Sequence, residues 1–272
     1  MSLLVIAVCG FLAAAVGTLG GLGGAVLLVP VLVLGGLEPN AAVPLGLMTV
    51  TAGSLAAAAD QIESGLVHHR LGITIETAAS GGAVAGALIA SAASADALRW
   101  ILAGAAVVAM GFILVRGGGE VAAPPAFAAE SPGEWPGTLA GSVHDGGVAI
   151  AYEAARVPTG VVLAGGAGFV AGISGTSGGY LKTPILTSWM QVPAKVAAAT
   201  VTFTVGVTAA TALLVFLTAG HVDLRQGAVV VAGALPGGRL GASLQRRVPA
   251  RTVQWALGAG LGVIAALLVV TR

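Results

Sequence analysis

Apolar positions along this chain neither alternate nor thin out on one face; they run on without a break. Continuous apolar stretches cover residues 3–36, 41–59, 71–93, 97–115, 157–190, 194–219, 227–245 and 253–270. About 20 such residues in a helix reach across the hydrocarbon layer of a bilayer, so runs of this length predict membrane helices. Strands of a membrane barrel would instead alternate over segments of about ten residues. The pattern predicts an all-α polytopic membrane protein with about eight hydrophobic segments.

Two of these segments, 3–36 and 157–190, are too long for one untilted crossing, and glycines interrupt both: GTLGGLGG at 17–24 and GISGTSGG at 172–179. They stand at matching places in a repeat. Shifted by 154 residues, Pro30 falls on Pro184 and Pro39 on Pro193. Shifted by 155, Arg70, Gly82, Gly86 and Trp100 fall on Arg225, Gly237, Gly241 and Trp255. The chain therefore divides into a first membrane repeat (1–116), a linker (117–156) and a second membrane repeat (157–272). The linker carries Pro, Gly and five acids (Glu120, Glu130, Glu134, Asp145, Glu153) with no long apolar run, and is expected in water. Duplicated membrane units are a common plan in transporters.

Each opening segment can be one long kinked helix, giving even-numbered units that face the same way. It can also break and turn back, giving odd-numbered, inverted units. The basic residues separate the two. With Lys182 and Arg239 set aside as lying within apolar runs, the first arrangement divides the other ten five to five. The second puts Arg70, Arg116, Arg156, Lys195, Arg246, Arg247 and Arg251 on one side and Arg99, Arg225 and Arg272 on the other. Cytoplasmic loops are enriched in Lys and Arg, so inverted repeats with a cytoplasmic linker are favoured.

Composition adds what the pattern implies. The chain is 57% hydrophobic and 8% charged, with a formal net charge of +1 and a mean hydropathy of +0.98. A soluble domain carries about 25% charged residues. No basic run suggests nucleic acid. The single cysteine, Cys9, excludes a disulfide within the chain and reads as a packing residue. His68 and His69 adjoin Arg70 at a helix boundary. With no third or fourth ligand in sight they read as interfacial rather than as a metal site.

One charge does not fit the apolar frame. Lys182 follows four glycines and three hydroxyl residues and is the only charge between Arg156 and Lys195. A lysine at a bilayer centre costs about 2.5–3.5 kcal/mol on insertion scales. It stands in the first turn after a glycine break, where the helix dipole opposes it as well. An anion bound there, at backbone N–H groups and near Ser174, Thr176 and Ser177, offsets both terms. Discontinuous helices build substrate sites in this way in several transporter folds. The candidate substrate-binding residues are thus Lys182, Ser174, Thr176, Ser177, Gly178 and Gly179. The first break adds Gly20, Gly21, Gly23 and Gly24, and Thr200 and Thr204 lie one turn apart on a following helix. The residue matching Lys182 in the first repeat is Leu28, so the fold of the unit does not require the charge. Glu76, about one and a half turns past Arg70, is expected either to pair with it or to snorkel.

At these residues the chain resembles the sulfite exporter TauE/SafE family of membrane permeases. The resemblance is carried by GTLGGLGGAVLLVP and GISGTSGGYLKTP, by VPAKVAAATVTFTVGVTAA at 192–210 and by GALPGGRLGASLQRRV at 233–248. The linker stretch GSVHDGGVAIAYEAARVPTG is similar as well. It implies a plasma-membrane permease for sulfite, a sulfonate or a related sulfur-containing anion. The family pattern of a glycine-rich loop and a lysine two residues before a proline falls on Lys182 and Pro184. Thr176 and Ser177 depart from it, standing where glycine or an aliphatic residue is usual.

The expected function is secondary transport of a small anion by alternating access, without a bound cofactor, coupled to a proton or ion gradient or uncoupled. An anion channel and a membrane scaffold are the alternatives. GISG at 172–175 also fits the G-x-S-G pattern of intramembrane serine proteases, but no histidine is placed inside a membrane helix to act as its base, so no enzyme is expected.

Overall fold

A computed structural model describes residues 2–20, 24–115, 133–145, 148–176 and 178–245. In the first half these form α1 (Leu3–Gly20), α2 (Ala25–Leu34), α3 (Pro39–Glu63), α4 (His69–Ala92) and α5 (Ala95–Val115). The second half holds α6 (Val157–Ser174), α7 (Gly179–Pro184) with a π-helical turn (Ile185–Trp189), α8 (Ala194–Thr218) and α9 (Leu224–Gln245). The chain is an all-α polytopic membrane protein. Five of the described helices (α3, α4, α6, α8 and most of α9) are long and apolar enough to cross a bilayer, and α1 and α2 are shorter apolar helices. The final apolar run, 253–270, lies outside the described residues, as do Arg116, Arg246, Arg247, Arg251, Trp255 and Arg272.

Prolines mark several helix starts, where a missing N–H costs nothing and φ is already helical. Pro39 opens α3 after the extended Glu38, a proline follows Val157 in the first turn of α6, and Pro193 precedes α8.

At both glycine breaks the chain turns back. Gly175 (φ +65°) ends α6, and the Thr176 N–H donates to the Ala171 carbonyl at 3.1 Å in a Schellman-type close. Gly178 (φ +63°) then starts the return, packed on Ala167 and Ala171 in the second half of α6. The returning limb ends beside the start of α6. There the Ala155 N–H donates to the Met190 carbonyl at 2.9 Å, and the Trp189 indole N–H to the Thr159 hydroxyl at 2.8 Å. In the first half Gly24 lies so close to Ala13, in the middle of α1, that a Cβ there would overlap its carbonyl. α1–α2 and α6–α7 are thus two helical hairpins.

The halves pack by exchange. α1 lies along α9 as α6 lies along α4, α3 crosses α9 as α8 crosses α4, and α3 meets α8 between them. Small residues make this possible, because close helix approach in a membrane depends on backbone meeting backbone. Gly82 and Gly86 of α4 face the carbonyls of Gly165 and Phe169. Gly168 and Gly172 of α6 face those of Ala79 and Ala83. Gly237 and Gly241 of α9, which match Gly82 and Gly86 in sequence, face the carbonyls of Phe11 and Ala15 in α1. Around Gly46 of α3 the two hairpins come together, with the Gly175 carbonyl on one side and Ala25 and Val29 on the other.

The linker is not featureless. β1 (Gly133–Glu134), β2 (Ala140–Asp145) and β3 (Val148–Glu153) form an antiparallel sheet in that order, with Gly133 opposite Ser142 and Ala140 opposite Glu153. The sequence reading predicts no strands here. The sheet sits against the start of α4, where Tyr152 meets His68 edge-on at 6.0 Å between ring centres. Burial pushes the Tyr152 hydroxyl pKa well up, and the nearby Glu134 charge adds to it.

Candidate functional site

Lys182 is fully enclosed, at 0% exposure, on the returning limb of the second hairpin. Its Nζ donates to Glu76 Oε2 at 2.7 Å and to the Thr208 hydroxyl. The Thr208 hydroxyl in turn donates to Glu76 Oε1, and Ser80 adds a 3.3 Å bond to the same oxygen. The three side chains close a ring that joins α4, α7 and α8. Glu76 belongs to the first half and the other two to the second. The sequence reading, in which Glu76 pairs with Arg70 or snorkels, is replaced by this pairing. Glu76 lies on the buried side of α4, whereas Arg70 is exposed and its backbone N–H contacts Glu134 Oε2 at 3.4 Å.

Local structure explains how a lysine is held there. Gly178, with its positive φ and its contact on Ala167, lets the chain turn tightly onto α6, which aims the first turn of α7 at α4 and α8. Pro184 lacks an N–H, and the π turn that follows it widens the helix; such turns recur at functional sites. Thr183 and Thr187 bond back to the Gly179 and Thr183 carbonyls at 2.7 and 3.0 Å.

The other sequence candidates fall in several places. Ser174 donates to the Val170 carbonyl at 2.5 Å and shares a 2.9 Å bond with Thr176, and both are buried beside the Tyr180 hydroxyl. Ser177, Gly21 and Gly23 lie outside the described residues, and Gly20 ends α1. Gly24 borders a small hydroxyl-lined cavity together with Thr18, Thr49, Ser54 and Thr202, with room for about one water. Thr200 and Thr204 do share a face, and it is turned to the start of α4. Both methyl groups border Gly72, and the Thr200 hydroxyl accepts the His68 N–H at 2.9 Å. Thr208, one turn further along the same stripe, is the threonine that touches Lys182. The i, i+4, i+8 spacing of Thr200, Thr204 and Thr208 is the signal that extends to it. Glu76 carried its own signal, an acid inside an apolar run, but not its partner.

The histidines expected at the interface differ. His69 is half-buried, while His68 is fully buried. His68 Nδ1 accepts the Leu71 N–H at 3.2 Å and lies 3.2 Å from Glu134 Oε2. Burial pushes its pKa down, against the raising influence of Glu134. Among the described residues no group of His, Cys, Asp and Glu is arranged to hold a metal.

Residues 6–268 match the family model of the sulfite exporter TauE/SafE. This chain belongs to the TauE/SafE family. It is 25% identical over 262 residues to the probable membrane transporter protein YunE of Bacillus subtilis (strain 168), a match covering 93% of this chain and 92% of that one. No solved structure matches it significantly. Membership makes the chain a multi-pass membrane permease rather than an enzyme. The serine of GISG accordingly has a structural task, closing the end of α6 on the Val170 carbonyl.

Proposed function

We propose that this TauE/SafE permease is a secondary transporter of a small sulfur-containing anion, sulfite or a sulfonate, working by alternating access, and that Lys182 supplies the positive charge that holds the anion. The observation that carries the reading is the enclosure of Lys182. An ionised side chain inside a membrane domain is expensive, and such groups mark substrate or ion pathways. Here it stands on a hairpin whose turn is built from Gly175, Gly178 and the hydroxyls of Ser174 and Thr176. Turn N–H groups and hydroxyls of this kind suit the oxygens of a sulfur oxyanion. Ser177 belongs to the same proposal as a further hydroxyl donor, Gly179, Gly20, Gly21, Gly23 and Gly24 as residues that let a ligand approach the backbone closely, and Thr200 and Thr204 as the wall that leads toward Thr208.

The hairpins favour inverted repeats. Each half then makes an odd number of passes, and the start of α4, the start of α6 and the linker share one side, which the basic residues assign to the cytoplasm. The exchanged packing of α1, α4, α6 and α9 supplies two bodies that can rock about α3 and α8. A channel using the same lysine is the other mode. Counter-substrate stimulation of flux in proteoliposomes is expected for the carrier and absent for a channel.

The test is thermal stabilisation of the purified protein by sulfite, thiosulfate, sulfate, ethanesulfonate, acetate and chloride. A ligand at about 100 times its Kd adds about 2.7 kcal/mol to the folded state. A sulfur anion is expected to raise the Tm of the wild type and to leave Lys182→Gln/Glu76→Gln unmoved; this double variant avoids stranding Glu76 without a counter-charge. Equal shifts in both proteins would move the anion site away from Lys182.

A further inference from the structure

The inference rests on the proposed role of Lys182 as the anion's counter-charge, and concerns what occupies that counter-charge when no anion is bound. Glu76 Oε2 sits 2.7 Å from Nζ, where a substrate oxygen would sit, and Thr208 bridges the two groups. Few other charges are near. Among the described residues α6 carries no titratable side chain, and α8 carries Lys195 alone, in its first turn. On α4 His69 and Arg70 stand well over a turn before Glu76, and on α7 Lys182 is accompanied only by Tyr180, whose hydroxyl lies by Ser174 and Thr176. Lys182 is thus the cation that faces Glu76. Neither charge is demanded by the repeat, because Glu76 matches Val231 at the 155-residue shift and Lys182 matches Leu28 at the 154-residue shift.

Charge balance then fixes the exchange. The enclosed pair has no net charge. A monovalent anion admitted beside it would leave a net negative charge in a medium that solvates charge poorly. If Glu76 takes up one proton as the anion arrives, its carboxylate becomes a neutral acid and releases the ammonium. The anion takes the vacated place on Nζ, and the site stays neutral. Thr208 can accept from Nζ and donate to a carboxyl oxygen or to the anion, so it serves both states.

We propose that Glu76 is an internal stand-in for the substrate anion and the proton-coupling residue of this transporter, so that one proton enters the site with each anion bound. Release of the anion returns the proton and re-forms the bond between the halves.

The experiment measures anion binding calorimetrically near neutral pH, in two buffers of different ionisation enthalpy, using ethanesulfonate and methanesulfonate, monovalent anions that keep their charge in that range. Wild type is expected to take up one proton per anion. Glu76→Gln is expected to take up none, to melt lower than wild type without anion because Lys182 has lost its partner, to regain stability when the anion is added, and to bind about tenfold tighter because the competitor is gone. Binding to wild type without proton uptake would overturn the coupling role and leave the anion site intact. Failure of both probes to bind wild type and Glu76→Gln would remove the anion site, and the coupling with it. Should Glu76→Gln not fold, the proton count on wild type decides by itself.

Discussion

Lys182, Glu76 and Thr208 form a group whose members hold each other in place. Water is excluded from the ammonium, so its attraction to the carboxylate is strong, yet so is the cost of bringing both from water. Such a pair adds little net stability over an apolar replacement, while the loss of one member is severe. Lys182→Met alone is therefore expected to lower stability by about 3–5 kcal/mol, and Lys182→Met combined with Glu76→Leu to recover most of it. Thermal melting of the three proteins in the same detergent checks this. A double variant no more stable than the single one would mean that the ring contributes geometry the apolar pair does not replace. Thr208 contributes through the same ring, since its hydroxyl bonds both charges at once.

At the scale of elements, glycine decides which helices touch. α4 offers adjacent glycines with opposite surroundings. A Cβ on Gly81 meets nothing within 4 Å, whereas a Cβ on Gly82 overlaps the Gly165 carbonyl of α6. Gly81→Ala is expected to be neutral or to stabilise by up to about 1 kcal/mol through helix propensity. Gly82→Ala is expected to destabilise by about 1–3 kcal/mol, because the helices must move apart. Melting temperatures moving in the same direction for both would refute the close-packed α4–α6 interface. A further contact between the halves is made by a hydroxyl. Ser54 of α3 donates to the Thr202 carbonyl at 2.6 Å and accepts the Gly206 N–H at 3.2 Å, entering the hydrogen-bond ladder of α8 where the two halves cross.

For the whole molecule, the linker sheet is tied to the membrane body at one end of α4. His68 is the hinge of that contact, buried between Tyr152, Thr200 and Glu134. Burial holds its pKa below the ordinary value of 6.5. The unfolded chain thus takes a proton more readily than the folded one. The contribution of neutral His68 is complete above about pH 6.5 and is lost as pH falls below it, with a slope of at most about 1.4 kcal/mol per pH unit. Stability of the wild type is expected to fall between neutral and mildly acid pH, with His68→Gln showing a flatter profile over the same range. Identical profiles for the two proteins would show that His68 does not titrate between the folded and unfolded states.

The sequence alone determined the membrane class, the two glycine breaks and the odd lysine, because each is written in local terms: run length, residue type and spacing. Tertiary structure decided what those features do. The turn-back at Gly175 and Gly178 became visible only where Met190 meets Ala155 and Gly160. Glu76 and Lys182 are 106 residues apart and in different halves, and no periodicity relates an acid on one helix to a base on another. The same holds for Thr208, which is one of three threonines on a shared face and differs from Thr200 and Thr204 only in its neighbours across the interface. The strands of the linker escaped prediction because their register is set by pairing with each other and by packing on His68, and long-range pairing leaves little trace in a short polar stretch.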